Sequence, residues 1–336
     1  MAYQYENVKL DKGMYRHAGE SFSQALERQD PSQQYKGTEL EGLDAFQRQL
    51  KRFDIKVKGP DSDCVEKFFR TTDSAVLFPE YISRCVRQGV EEANVLPHIT
   101  AAVTSIDSMD YRTITAQSDD NVKLQVVDEG ASIPCTTIRA KSNLVKLHKR
   151  GRMLVASYEA IRHQKLDLFS ITLRQIGANI ASMQLMDAVD VIINGDGNGN
   201  YAFSYGTENP GELTYGDLVD FWTKFAPYEL NTMLVSADVM AKVLKMPELQ
   251  NPAGGMNFQG TGKLVTPMGA TLVCVHEMPA NTIIGLDKRY ALEMVECGGV
   301  SVEYDKLIDR QLERAAVTVT CGFAKMFTGA SALLEV

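Results

Sequence analysis

The longest regular pattern of apolar positions in this chain lies between residues 166 and 193. Apolar side chains recur there every three or four positions, at Phe169, Leu173, Ile176, Ile180 and Met183. This spacing places them on one face of a helix. No proline interrupts the pattern, and the segment NGDG at residues 194–197 supplies the Asn and Gly residues that commonly end helices. The pattern predicts one helix of roughly 28 residues, about 42 Å long, as the backbone of an elongated subunit.

Shorter patterns predict a mixture of helices and strands around this helix. Apolar and polar residues alternate at residues 122–126, and short apolar runs at 271–275 and 282–286 are typical of buried strands. Further strands are predicted at residues 301–305, 315–320 and 332–336. Helices are predicted at residues 20–28, 42–53 and 237–245, and from residue 216 to just before Pro227; Ser236 precedes the 237–245 helix and Pro247 follows it. The fold class is therefore α+β.

The composition is ample for a core and ordinary for a protein that functions in water. The 336 residues are 44% hydrophobic and 23% charged. No apolar run approaches the ~18 residues of a membrane span, and the first residues lack the basic-then-apolar order of a signal peptide. We expect no membrane partner and maturation in the cytosol where the chain is made. The six cysteines include no Cys-x-x-Cys pair, which favours small buried side chains in a reducing compartment.

No complete set of catalytic or metal-binding residues is present in the sequence. The glycine-rich segment at residues 255–261 resembles a phosphate-binding loop, but Lys263 stands two positions too late to reach a terminal phosphate. His276 and Glu277 begin a zinc-protease pattern in which Ala280 occupies the position of the second histidine. We therefore expect no enzyme activity, no metal site and no cofactor. An uncharacterised α+β enzyme remains the alternative from another functional class.

Several segments resemble, in their order, one known family. They are VLFPEYI at residues 76–82, VLPHI at 95–99, the long helix with its NGDG stop, TYGDLV at 214–219, MLVSADVM at 233–240, PMGATLV at 267–273 and AAVTVTCGFA at 315–324. Together they are similar to the major capsid protein of tailed bacteriophages, which has the Hong Kong 97 fold. The resemblance covers residues from about 75 to 336. It rests on the order of many weak motifs.

The resemblance implies a division of the chain into named parts. It implies an N-terminal arm at residues 1–74, the first part of a peripheral domain at 75–104, an extended hairpin called the E-loop at 105–150, the peripheral domain with its long spine helix at 151–199, an axial domain at 200–294, and the return to the peripheral domain with the final strand at 295–336. In the family the E-loop reaches over a neighbouring subunit. A two-stranded ribbon is at best marginally stable alone, so the hairpin needs that neighbour.

An apolar stripe in the N-terminal segment is a candidate assembly contact. The predicted helix at residues 42–53 carries Leu43, Phe46, Leu50 and Phe53 on one narrow face. The predicted helices before residue 70 lack a core of their own. With the family resemblance, we expect this segment to be an extended arm whose stripe docks on another subunit. The alternative is an N-terminal hairpin packed on its own domain.

Two segments of opposite charge are further candidate assembly contacts. No acidic residue lies between Glu129 and Glu159, and that stretch carries Arg139, Lys141, Lys146, Lys149, Arg150 and Arg152. No basic residue lies between Arg174 and Lys224, where the acidic residues include Asp187 and Asp190. Opposite charges on one chain suit pairing between neighbouring copies and would set their register. Alternatively, the basic stretch binds nucleic acid or simply faces solvent.

The resemblance implies a structural subunit that assembles with itself. We expect pentamers and hexamers in an icosahedral shell around double-stranded DNA, with scaffolding, portal and decoration proteins as further partners. The shell would form in the host bacterial cytoplasm and become part of the virion. The net charge of −8 argues against gripping DNA through its phosphates and suits an inner wall, although it is also ordinary for solubility. An encapsulin-type nanocompartment shell is the alternative.

Two expectations concern covalent processing of the subunit. Some family members join an E-loop lysine to an asparagine of a neighbour, and Lys123, Lys141 and Lys146 are available as nucleophiles. No asparagine follows Asn281, and Gln311 is the only side-chain amide between residues 301 and 336. We therefore expect a non-covalent shell. We also expect no large prohead domain to be cleaved, because the family's fused scaffold domain is longer than the segment before Val76.

Overall fold

The computed structural model of the protein describes residues 4–16, 20–117, 137–157, 159–160, 163–250, 268–307 and 312–336, together with residues 126 and 129. The chain divides into two compact units. Unit 1 comprises Met1–Ala93, Arg150–Ala181 and Val300–Val319, and unit 2 comprises Asn94–Lys149, Ser182–Gly299 and Thr320–Val336. Each unit is therefore built from three separate stretches of sequence. Helices and strands are mixed in the chain, so the predicted α+β class is confirmed.

Of the following eight helices, five correspond to predicted segments and three, at residues 72–76, 78–93 and 247–250, have no predicted counterpart. They are α1 (Phe22–Gln29), α2 (Ala45–Arg52), α3 (Thr72–Val76), α4 (Phe78–Ala93), α5 (Leu166–Asn194), α6 (Tyr215–Thr223), α7 (Ala237–Leu244) and α8 (Pro247–Gln250). The predicted helix at residues 166–193 is confirmed as α5. It ends where Gly195 adopts a φ of 78°, a conformation that glycine reaches without strain. Pro247 does not merely follow α7 but also begins α8, where its missing N–H costs nothing.

The strands form two five-stranded sheets and one two-stranded hairpin. They are β1 (Thr100–Ile106), β2 (Ile114–Gln117), β3 (Thr137–Ala140), β4 (Leu147–Ser157), β5 (Phe203–Gly206), β6 (Thr232–Ser236), β7 (Thr271–Val275), β8 (Thr282–Leu286), β9 (Leu292–Cys297), β10 (Ser301–Leu307), β11 (Leu312–Lys325) and β12 (Ser331–Glu335). The predicted strands at residues 271–275 and 282–286 are confirmed as β7 and β8. The predicted strand at residues 122–126 lies outside the described residues except for Val126.

Unit 1 is a helical core that packs against residues of three strands, β4, β10 and β11. Its cluster of buried apolar residues joins the N-terminal helices, α4 and the first half of α5 to Ala315, Val317 and Val319 of β11. Helices α4 and α5 approach closely, because Gly89 faces the Arg174 carbonyl and Gly177 faces the Val86 carbonyl. A Cβ atom at either glycine would overlap that backbone oxygen. Packing of the two helices therefore requires glycine at position 177.

The N-terminal segment belongs to this core, which corrects the expectation of an arm that docks on another subunit. Phe46 is only 3% exposed and Leu50 only 6%, and both lie in the cluster with α4 and α5. Phe53 packs against the same cluster, and Leu43 packs against Tyr5, Tyr35 and Leu40. The physical reason is that the four side chains of the stripe find apolar partners within the same unit. The alternative of packing on its own domain is the arrangement observed.

Unit 2 contains the second sheet, with strand order β5-β12-β8-β6-β7. Strands β6 and β8 lie inside it and are buried at every position. Helices α6 and α7 supply Leu218, Phe221, Val239 and Val243 to the cluster on one side of this sheet. In the same unit, β1 pairs in parallel with β9, and β9 pairs antiparallel with residues 321–325 of β11. The hairpin of β2 and β3 emerges after β1 and returns before β4.

Helix α5 is long and apolar enough to cross a membrane, by length and composition alone, and it is the one such helix among the described residues. Half of its most apolar stretch is buried inside the protein. Its apolar residues include Leu173 and Ile176 in the core of unit 1 and Ala188 and Ile192 in a core of unit 2. Its apolar character is therefore accounted for by two protein cores.

Candidate assembly interface

The hairpin presents an exposed apolar face that its own unit does not cover. Ile114 of β2 is paired with Ala140 of β3, and Ile138 lies two residues before Ala140 on the same face. Ile114 is 58% exposed and Ile138 is 67% exposed. We call Ile114, Ile138 and Ala140 the hairpin face. Two exposed isoleucines on a two-stranded ribbon are typical of a surface that another molecule covers.

The strand that leads into the hairpin is held at its root by a buried carboxylate. Glu293 of β9 is only 6% exposed. Its Oε1 accepts hydrogen bonds from the Thr104 hydroxyl at 2.6 Å and the Tyr111 hydroxyl at 2.7 Å, and its Oε2 accepts one from the Thr113 hydroxyl. We call this group the hydroxyl clamp. Its three donors account for the burial of a charged group that would otherwise be costly.

The strand that leaves the hairpin is held by a second buried carboxylate. Asp196, in the NGDG turn after α5, has a side chain only 3% exposed, and Lys141 directly after β3 has one 8% exposed. Lys141 Nζ lies 2.9 Å from Asp196 Oδ2, and the Lys325 backbone N–H donates to the same oxygen at 3.0 Å. Asn198 Nδ2 donates to Asp196 Oδ1 at 3.0 Å. We call this group the lysine clamp.

Ionisation within the lysine clamp follows from its burial and its partners. Burial alone would raise the pKa of Asp196, but hydrogen bonds from Asn198 and Lys141 outweigh it and lower that pKa. Burial lowers the pKa of the Lys325 ammonium to about 8, although the nearby Asp196 charge acts in the opposite direction. The Lys325 Nζ donates to the Ile192 carbonyl at 3.1 Å, one of the last carbonyls of α5. A cation is favourable at that end of a helix.

The basic stretch does not behave as one surface. Lys141 is committed to Asp196 within its own unit, which corrects the expectation that Lys141 pairs with another subunit. Lys146 and Lys149 are exposed on the unit 2 side of the stretch, and so is Arg139 on β3. In unit 1, Arg152 is exposed and Arg150 is half-buried with a partner in the protein. The exposed members remain candidates for contacts between subunits.

The two acidic candidates on α5 already have partners in unit 2. Asp187 is half-buried, with its Oδ2 at 3.5 Å from His148 Nδ1. Asp190 is exposed, and its Oδ1 accepts a hydrogen bond from Asn194 Nδ2 at 2.7 Å. Of the two, Asp190 is the one exposed enough to meet a cation of a neighbouring copy.

Other exposed apolar residues were not among the sequence-based candidates. In unit 1, Met153 and Val155 of β4 and Leu168 and Ile171 at the start of α5 are each more than half exposed. In unit 2, Tyr201, Phe203 of edge strand β5 and Trp222 of α6 are exposed to between 47% and 67%. Single exposed apolar residues carry no sequence signal, because the same residue types fill the core. Hydropathy patterns therefore could not identify these residues.

The described residues offer no arrangement for metal or disulfide chemistry. No group of three or more histidine, cysteine or acidic side chains among them is placed to hold a metal ion. Cys64, Cys85, Cys274, Cys297 and Cys321 are free thiols, while Cys135 lies outside the described residues. Cys85 and Cys321 are buried as expected, whereas Cys64, Cys274 and Cys297 are half-buried.

Comparison with known proteins identifies the fold and the family. The sequence model of the phage capsid protein family matches residues 141–323, more than half of the chain. The capsid of the native GTA particle is similar with a TM-score of 0.54 and 18% identity, over 71% of this chain and 89% of that chain. The capsid of cyanophage P-SCSP1u has a TM-score of 0.54 and 13% identity, over 71% of this chain and 86% of that one.

A virus-like particle from Pyrococcus furiosus has a similar fold, with a TM-score of 0.53 and 15% identity, over 76% of this chain and 98% of that chain. The sequence matches none of the curated proteins with which it was compared. At these identities the structures show the fold alone, and it is the fold that the sequence motifs implied. The family match covers the hairpin exit, β4, α5, strands β5 to β10 and most of β11. The chain therefore belongs to the phage capsid protein family and is a shell-forming structural subunit with the Hong Kong 97-type α+β fold.

Proposed function

We propose that this subunit assembles into pentamers and hexamers that close as an icosahedral shell around double-stranded DNA. The observation that carries the proposal is the exposed hairpin face of Ile114, Ile138 and Ala140. Burying one isoleucine gains about 1.5–3 kcal/mol, so the two together give a useful contact that the monomer leaves unused. In this proposal the hairpin face covers a neighbouring subunit, as the family's E-loop does.

Charge supports a second set of contacts between copies. Arg139, Lys146, Lys149 and Arg152 are exposed, and so is Asp190 on α5. Each exposed pair contributes only about 0–1 kcal/mol, but many identical contacts in one shell set a common register. We propose that these residues pair across subunit boundaries and that moderate salt weakens the shell. Scaffolding, portal and decoration proteins would be additional partners in the host cytoplasm.

We also propose that the shell is non-covalent. Lys141 is buried against Asp196 and so is poorly placed to act as a nucleophile. Lys123 and Gln311 lie outside the described residues. Subunits from purified shells should run as single bands of about the 37.2 kDa chain mass after boiling in detergent. A ladder of oligomers that survives detergent and reductant would contradict this.

Electron microscopy of the purified protein tests the proposal directly. We expect closed shells or capsomers, and shells purified from the producing bacterium should contain nuclease-protected double-stranded DNA. Shells that hold a protein cargo and no DNA would favour the nanocompartment alternative. Small uniform particles at all concentrations would reject assembly.

A point variant tests the hairpin face itself. Ile138→Asp should abolish shells while the subunit keeps its thermal unfolding transition, because the side chain is already 67% exposed. Met109→Asp is the matched control, since Met109 is 56% exposed but lies outside the paired strands. Normal shells from Ile138→Asp would remove the hairpin face from the proposed interface.

A further inference from the structure

We infer that the hydroxyl clamp and the lysine clamp fix the direction of the hairpin in the free subunit, so that Glu293, Lys141 and Asp196 are positioning residues for assembly. This inference rests on the proposed function of the hairpin face. It differs from that function because it concerns the subunit before any neighbour is present. The hairpin is then preorganised: the conformational entropy of ordering it is lost when the subunit folds and not when two subunits bind.

The two clamps hold the two strands of the hairpin separately. In the hydroxyl clamp, Glu293 accepts hydrogen bonds from the chain that leads into the hairpin, at Thr104, Tyr111 and Thr113. The lysine clamp takes hold of the leaving chain through Lys141, and Asn143 adds a bond from its backbone N–H to Asn198 Oδ1 at 3.1 Å. Two attachment points on different strands restrict rotation of a ribbon, whereas one would act as a pivot.

Contacts between the two strands do not by themselves set this direction. The Lys141 N–H donates to the Thr113 carbonyl at 2.9 Å, and the Val145 N–H donates to the Tyr111 carbonyl at 2.8 Å. These bonds join the strands to each other, so they move with the hairpin. The carboxylates of Glu293 and Asp196 instead come from β9 and from the turn after α5. These two carboxylates connect the hairpin to the body of unit 2 through charged hydrogen bonds.

Apolar packing at the root is smaller and less directional. Tyr111 and Leu147 are partly buried against Val145, Val295 and Ala324. Apolar contacts tolerate sliding, while a carboxylate that accepts several hydrogen bonds has a defined geometry. Glu293 uses both oxygens for three donors, and Asp196 likewise uses both oxygens. A shifted hairpin would take Lys141 away from Asp196, and Tyr111 and Thr113 away from Glu293, which disfavours alternative directions.

Hydrogen exchange in the unassembled full-length subunit tests the inference. The variants are Thr104→Val with Tyr111→Phe, which removes two hydroxyl donors and keeps the side-chain shapes, and Lys141→Met, which removes the cation of the lysine clamp. We expect amides of β2 and β3 to exchange at least tenfold faster in either variant, and faster still when the two are combined. Amides of β6 and β8 should keep their wild-type rates.

Lys146→Met is the matched control, because Lys146 belongs to the same basic stretch but is exposed. It should leave exchange in β2 and β3 unchanged. If β2 and β3 of the combined variant exchange at wild-type rates, the inference is overturned. The apolar contacts of Tyr111 would then be what fixes the direction of the hairpin. If β6 and β8 exchange faster to the same degree as the hairpin, the residues merely stabilise unit 2 and the inference is likewise overturned.

These outcomes are separate from those of the proposed function. Hydrogen exchange is measured on the unassembled subunit. A wild-type subunit that never forms shells would therefore reject the proposed function without affecting the inference that the two clamps fix the direction of the hairpin. As a second readout, shells of the clamp variants should form with at least tenfold lower yield than those of Lys146→Met. Yield equal to that of the control, despite faster exchange, would contradict the role in assembly.

Discussion

The N-terminal segment and the hairpin both carry apolar side chains on one face, yet one face is buried in the subunit and the other is exposed. Phe46 and Leu50 lie against α4 and α5 at 3% and 6% exposure. Ile114 and Ile138 lie on the hairpin at 58% and 67%. An apolar stripe in the sequence therefore indicates only that this face is buried against other apolar residues, either of the same subunit or of another molecule. Which molecule provides the cover depends on residues far away in sequence.

The polar groups of the two regions differ in what they hold together. In the N-terminal segment, Arg48 and Asp30 have fully buried side chains, with Arg48 Nε at 2.6 Å from Asp30 Oδ2. The Arg48 guanidinium lies over the Tyr35 ring, 4.3 Å from its centroid. This network joins pieces of a core. At the hairpin the polar groups hold only the root, and the apolar face projects beyond them.

The strongest test of the contrast places one acidic residue in each region. Phe46→Asp should cost about 4 kcal/mol or more of unfolding free energy, because it both removes a buried ring and buries a charge. We expect the thermal transition of unit 1 to be lost or greatly lowered, measured by calorimetry. Ile138→Asp should leave that transition in place. A Phe46→Asp subunit that unfolds normally but forms no shells would restore the docking role for this stripe.

The second test removes one partner of the buried ion pair. Arg48→Met leaves the Asp30 carboxylate buried without its cation, which typically costs about 3–5 kcal/mol. Denaturant unfolding should show this loss. Arg28→Met is the control, because Arg28 is 65% exposed in its pair with Glu20 and should change stability by less than about 1 kcal/mol. Equal effects of the two variants would show that the pair does not organise the segment.

The third test concerns the close approach of α4 and α5, for which the hairpin has no counterpart. Gly177→Ala forces a Cβ against the Val86 carbonyl and should destabilise by about 1–3 kcal/mol. Gly216 also lies in a helix, α6, but a Cβ there would have only an ordinary contact with the Thr214 hydroxyl. Gly216→Ala should therefore be neutral or slightly stabilising by chemical denaturation. A neutral Gly177→Ala would show that the helices can separate without cost.

The smallest expected effect is on the hairpin root and depends on pH. The folded-state pKa of Asp196 is lowered, so its ionised form stabilises the fold above its ordinary pKa of about 4. That contribution is lost as the pH falls through the folded pKa. The stability advantage of the wild type over Asp196→Asn should be present near pH ~6 and shrink progressively below pH ~4. An advantage that is independent of pH would show that Asp196 is not ionised in the fold.

Much of the local structure could be predicted from sequence because its causes are local. The spacing of Leu173, Ile176 and Ile180, followed by the NGDG stop, defines α5 to within one residue of its end. The run at β8 is buried at every position, and the run at β7 is buried at Leu272 and Val275 and half-buried elsewhere. In these segments propensity, hydropathy period and burial agree, so the pattern and the structure coincide.

The tertiary partners could not be predicted, because they join residues that are distant in the sequence. Glu293 meets Thr113 from 180 positions away, and Lys141 lies beside the carbonyl of Lys325 from 184 positions away. Lys141 looks like its neighbours in the basic stretch, and nothing in the pattern marks it as buried. The covering of Phe46 by the subunit's own helices was missed for the same reason.

The distance in sequence between the two halves of the hydroxyl clamp has a consequence for synthesis. The hairpin leaves the ribosome well before Glu293 and Lys325 exist, and at about 5–20 residues per second the intervening chain takes roughly 10–40 s to make. During that interval the hydroxyl clamp lacks its carboxylate although Ile114 and Ile138 are already present, whereas Asp196 follows Lys141 by only 55 positions. By the inference about the clamps, the entering strand of the hairpin gains its fixed direction only after translation has passed Glu293.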